Sequence, residues 1–217
     1  MSSKILGWLV FSISLGAYIP LIIGGWQHPS ETNVACFSLW IVLAAMLAYS
    51  AWAQGYEGWR INLAFFAGNI VVVALALIRH GYTFNLGPTE MILIYGLSTV
   101  IVVWWIISTK TGRWRPDILW IGGIIVDVIS FYPIVKQYLR AHEAATNLCI
   151  AAWAMFGLGA LINFVCVEKL FSKLGTNPAT YEAVFGEKKS HAKILSTSAF
   201  SLENFTMIIT TLVLMLR

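Results

Sequence analysis

The chain has 217 residues and a formal net charge of +4, with 59% hydrophobic and 11% charged residues. Soluble domains carry about 25% charged residues, and here the apolar residues come in blocks long enough to cross a bilayer, so a soluble catalytic domain is excluded. The positive balance is no argument for nucleic-acid binding, because Lys and Arg fall between the apolar blocks.

In chain order, the predicted spans are Ile5–Ile23, Val34–Ala53, Ile61–Ile78, Glu90–Ser108, Ile118–Tyr138, Asn147–Val167 and Ser198–Leu216. Each approaches the roughly 20 apolar residues that a transmembrane helix needs. The last is the most polar, with Glu203 and Asn204 in its first half. The runs are continuous rather than alternating, which predicts helices and not a barrel. Nothing near Lys4 resembles a cleaved signal peptide.

The expected fold is therefore all-α: a polytopic membrane bundle of seven helices. Of the 14 Lys and Arg, all but Arg79, Lys136, Arg140 and Arg217 fall on one side of the seven-span plan. The positive-inside rule then puts the N-terminus in the cytoplasm and the C-terminus outside. The polar, basic stretch 168–197 is expected to be a cytoplasmic loop that touches lipid headgroups or docks a partner. Trp26, Trp59, Trp114 and Trp120 lie near span ends, where indole favours the interface. Cys36, Cys149 and Cys166 fall within spans, as small buried hydrophobes.

Sliding the chain by 113 residues superposes Pro20 on Pro133, Cys36 on Cys149 and Trp40 on Trp153, and sets Tyr18 beside Phe131 and Ser50 beside Asn163. With the 168–197 loop counted as an insertion of about 22 residues, Asn69 meets Asn204. The implied organisation is a three-helix repeat (1–81), a linker helix (82–115) and a second three-helix repeat (116–217). A single linker helix leaves the repeats parallel, related by an axis along the membrane normal, with a site expected near the midplane where they meet.

This plan resembles the SWEET sugar transporters and the wider PQ-loop superfamily, which have a 3-1-3 helix arrangement, a proline in the first helix of each half and an asparagine in the third. Pro20, Pro133, Asn69 and Asn204 carry the resemblance, and Ser50 and Asn163 stand where the family's second helices contribute to its pocket. The proline-glutamine dipeptide is absent, since Leu21 and Ile134 follow the prolines, and Trp40 and Trp153 occupy roughly the places of a second proline pair. The tryptophan-rich PnuC vitamin transporters are similar in helix count. The resemblance implies alternating-access transport of a small solute.

Each candidate residue has two readings. Pro20 and Pro133 kink their helices, as hinges or as static packing features. Asn69 and Asn204 can hold a solute from two sides or bond between helices. Trp40 and Trp153 can stack on a ring or fill the core. Asp127 and Glu203 are carboxyls inside spans, which suits proton coupling or structural hydrogen bonding. His28, His80, His142 and His191 form no ligand cluster, so neither a metal nor a cofactor is expected. No nucleophile-base grouping or phosphate loop appears, which points away from an enzyme.

The function expected is transport of neutral polar solutes resembling sugars, nucleosides or vitamins. The expected partners are membrane lipid and the solute, with no nucleic acid, and a homo-oligomer is compatible with the sequence. Two alternatives remain open: a non-transporting receptor or sorting protein on the same scaffold, and an intramembrane lipid-modifying enzyme using Asp127 or Glu203.

Overall fold

The computed structural model describes residues 2–28, 33–53, 56, 59–80, 88–111, 116–140, 146–170 and 189–216. All regular structure among them is helical: α1 Ser3–Gln27, α2 Val34–Ala53, α3 Trp59–His80, α4 Pro88–Met91, a π-helical segment Ile92–Gly96, α5 Leu97–Lys110, α6 Pro116–Arg140, α7 Asn147–Val165, α8 Val167–Leu170 and α9 Lys189–Met215. Five helical stretches have the length and apolarity to cross a membrane: Ser3–Gln27, Val34–Trp52, Trp59–Arg79, Asn147–Val165 and Ser198–Met215. The described residues form the all-helical bundle of an integral membrane protein.

Short polar side chains start the helices by accepting bonds from otherwise orphaned amides. Ser2 Oγ accepts from Ile5 N at 3.3 Å, Asn33 Oδ1 from Cys36 N at 3.1 Å and Thr146 Oγ1 from Cys149 N at 3.2 Å. The helices run unbroken through Pro20 and Pro133. Each proline lacks the N–H that would reach the carbonyl four residues back, on Gly16 and Ile129.

Two expectations need correction. The predicted fourth span is not one regular helix, because the π-helical segment separates α4 from α5. The last helix begins at Lys189, so 189–197 is helical rather than loop. Residues 171–188 of the expected loop, and Trp114 with them, lie outside the described residues.

Packing joins the long helices into a ring. α1 lies against α3 and α7, α2 against α3 and α6, and α9 against α6 and α7. α5 sits outside this ring and packs mainly on α6. Lipid-facing positions remain apolar, as at Ile5, Ile19, Ile78, Ile125 and Leu212. At helix ends, the Arg79 guanidinium lies 5.4 Å from the Trp26 ring centre and that of Arg60 lies 4.7 Å from Trp59, a cation–π arrangement suited to the interface.

Two apolar clusters fill the ring. One, near the N-terminal end of α1, gathers Leu6, Leu47, Tyr56, Trp120 and Phe200. Trp120 is fully buried there rather than placed at the interface, with ring centroids 5.4 Å from Tyr56 and 5.9 Å from Phe200. Tertiary packing overrides the preference of indole for the boundary, because Tyr56 of the α2–α3 connection and Phe200 of α9 pack against its ring. The second cluster, centred on Tyr18, Phe37, Trp153 and Phe156, surrounds the cavity described next.

Candidate functional site

A cavity lies inside the ring, walled by side chains from α1, α2, α3, α6, α7 and α9. It leaves about 40 Å³ open to the centre of a water molecule, enough for a few waters.

Its apolar wall is an aromatic chain running across the bundle. Trp40 meets Phe131 with centroids 5.2 Å apart, Phe131 meets Trp153 at 6.3 Å, Trp153 meets Phe156 at 5.8 Å and Phe156 meets Tyr18 at 5.1 Å. Edge-on and tilted pairs of this kind add about 0.5–1.5 kcal/mol each beyond area burial. Trp40 Nε1 donates to Ser130 Oγ, tying α2 to α6, and Ser130 Oγ donates to the Asp127 carbonyl at 2.6 Å. Thr211 Oγ1 donates to the Trp153 carbonyl at 2.9 Å, tying α9 to α7.

Three polar features interrupt this wall. The Tyr18 hydroxyl donates to Asn69 Oδ1 at 2.7 Å. The arrangement depends on Gly68: the Tyr18 ring lies so close to it that an added Cβ would overlap ring carbons. Asn62, two helical turns before Asn69 and so on the same face of α3, is buried and makes no hydrogen bond among the described residues. On the far side, Asp127 from α6 and Glu203 from α9 are 8% and 5% exposed, and both carboxyl-bearing side chains line the cavity. Glu203 Oε2 is buried with no partner among the described residues. No Lys, Arg or His stands among the described lining residues. Glu203 also acts towards the apolar end cluster: burial pushes the Tyr56 phenol well up, and the nearby Glu203 charge adds to it.

The structure thus brings together five of the residues singled out from sequence: Trp40, Trp153, Asn69, Asp127 and Glu203 all line the cavity. Ser50, Asn163 and Asn204 are buried but are not among its lining residues. Asn163 Nδ2 donates to Asn204 Oδ1 at 3.2 Å, and Asn204 Nδ2 donates to the Phe200 carbonyl at 2.6 Å, so this pair bonds α7 to α9. Pro20 and Pro133 lie away from the lining, on the helices that carry Tyr18 and Asp127.

Sequence reasoning passed over Asn62 and the Tyr18 hydroxyl. The spacing of Asn62 from Asn69 was the available signal; for Tyr18 there was none beyond its match to Phe131. Among the described residues, no group of three or more His, Cys, Asp or Glu is placed to hold a metal ion.

The fold and cavity define a helical membrane protein with a central, partly polar chamber. No protein-family model matches the chain, and no curated protein or solved structure matches it either.

Proposed function

We propose that this chain is a small transporter of neutral polar solutes, of sugar, nucleoside or vitamin type, working by alternating access. The observation that carries the reading is the cavity itself: six helices enclose aromatic faces together with Asn62, Asn69 and the Tyr18 hydroxyl. Flat apolar walls with a few convergent hydrogen-bonding groups suit a hydroxyl- or amide-bearing ring.

Helix packing supports a two-repeat organisation. The α1–α3–α2 order is matched by α6–α9–α7, and the seams between them pair α1 with α7 and α2 with α6. A two-fold axis along the membrane normal exchanges these seams. A cavity lined by helices of both halves suits such an axis, where parallel-repeat transporters bind their cargo. Each seam contains one proline-bearing helix, α1 or α6, so Pro20 and Pro133 are suited to act as the hinges.

The chamber is far smaller than the roughly 300 Å³ or more of typical small-molecule sites. A solute therefore enters only in a wider conformation, and the structure corresponds to a closed one. The charge bias keeps the N-terminus in the cytoplasm and the C-terminus outside.

The test is a thermal-shift screen of purified protein with glucose, uridine and nicotinamide, repeated with Asn69→Ala. Transport predicts at least one compound that stabilises wild type and loses that effect in the variant. Stabilisation by none, or equal stabilisation of both proteins, counts against the midplane site.

A further inference from the structure

We infer that Asp127 and Glu203 form a proton-binding site in the cavity wall, and that a proton carried there is the coupling ion for the solute. This rests on the transporter reading above and adds its energetics.

Geometry carries the first half of the inference. Asp127 and Glu203 are both buried and line one cavity. Two ionised carboxylates have acceptors only, so a hydrogen bond between them requires that one holds a proton. The pair belongs to separate helices, α6 and α9, and both side chains face the cavity rather than lipid. The described lining holds no basic side chain that could neutralise it. Tyr18 from α1 and Tyr56 from the α2–α3 connection are the other titratable groups close enough to feel its charge. α2, α3 and α7 bring Trp40, Asn62, Asn69, Trp153 and apolar side chains to the same wall, and α5 on the outer side of α6 brings nothing.

Two further observations point to exchangeable cargo rather than a sealed structural bond. Glu203 Oε2 is buried with no described partner, which leaves an acceptor free for a donor arriving in the cavity. Asn62, also buried and without a described hydrogen bond, lines the same space. A buried polar group left unmatched costs about 1–3 kcal/mol, and a hydroxyl-bearing solute would satisfy the Glu203 oxygen.

The step balances simply. The chamber opens to one side and the pair takes a proton from water, giving one carboxyl bonded to one carboxylate. The loaded pair and the solute cross together as the seams rearrange. On the other side the proton returns to water, leaving two adjacent carboxylates whose repulsion in a low-dielectric site favours reloading.

The proton site is tested first on wild type, by infrared spectroscopy in lipid vesicles. A protonated-carboxyl band should disappear as pH rises and be lost in Asp127→Asn and Glu203→Gln. Uptake of labelled glucose, uridine and nicotinamide is then followed in vesicles with the membrane potential clamped to zero. An inward gradient of about one pH unit should drive about tenfold accumulation at one proton per solute, since a tenfold ratio of one cargo balances that of the other. Both variants should equilibrate their solute without accumulating it.

A wild-type spectrum with no titrating carboxyl band overturns the proton site, whatever is transported. A titrating band with solute flux indifferent to the pH gradient overturns coupling but leaves transport standing. A titrating band with no flux of any probe overturns transport and coupling together.

Discussion

The helices α1–α3 and the helices α6, α7 and α9 face one another across the cavity, yet they bring it different chemistry. The first set supplies neutral hydrogen-bonding groups, namely the Tyr18 hydroxyl, Asn62 and Asn69. The second supplies the two carboxyls. Under the two-repeat reading the contrast is positional. Gly68, on which the Tyr18 ring rests, matches Glu203; Tyr18 matches Phe131, which has no hydroxyl; and Ser14 matches Asp127. Asn69 and Asn204 also correspond, but Asn69 lines the cavity and Asn204 bonds to Asn163 where α7 packs on α9. Under the proposed function, one half would recognise the neutral solute and the other would hold the proton.

Substitutions in the two halves can break or sharpen that contrast. The largest expected effect is from Trp153→Ala. Its side chain is 2% exposed, and removal should cost about 3–5 kcal/mol of stability, the range for a buried Trp or Phe truncated to Ala. Trp40 is half-buried, so Trp40→Ala should unfold at a higher denaturant concentration than Trp153→Ala; equal losses would mean that the two tryptophans pack alike.

Next comes Gly68→Ala. The new methyl must displace the Tyr18 ring, which should cost about 1–3 kcal/mol by overpacking. Gly16→Ala is the control: its Cβ would stand 3.1 Å from the terminal methyl of Met155, a flexible group that can move aside. Denaturation in detergent should therefore separate the two glycine variants, and indistinguishable curves would remove the steric role of Gly68.

Tyr18→Phe should have a smaller effect, about 1 kcal/mol, the usual net worth of one hydrogen bond. It should also weaken any stabilisation by a solute that depends on Asn69. A thermal-shift titration in which Tyr18→Phe retains full ligand response would take the hydroxyl out of the site.

The smallest effect lies between α7 and α9. A double-mutant cycle of Asn163→Ala and Asn204→Ala should give a coupling of about 0.6 kcal/mol, the average for interhelical hydrogen bonds in membranes. Neither variant should alter ligand-induced stabilisation. If either did so as strongly as Asn69→Ala, the second half would also recognise the solute directly.

Much of the fold was legible because it is local. A run of apolar residues must form helix in lipid whatever its neighbours do, so five membrane-length helices fall at predicted spans. The fourth span was read too simply: its apolar composition does not encode the π-helical segment at Ile92–Gly96. Likewise, 189–197 reads as loop by polarity, yet it continues α9.

The site divides along a similar line. Residue type and spacing sufficed to single out Trp40, Trp153, Asn69, Asp127 and Glu203, because rare polar or bulky groups within spans stand out against an apolar background. Repeat matching specifies how far along a helix a residue lies but not which way its side chain faces. Helix rotation is set by packing against neighbours, which is why Asn163 and Asn204 turn towards one another while Asn69 turns inward. The sequence by itself determined an integral membrane chain of helices and the polar groups held within them. Only tertiary structure decided that Asp127 and Glu203, far apart in the chain, line one cavity, since that depends on the approach of two helices and is written in neither alone.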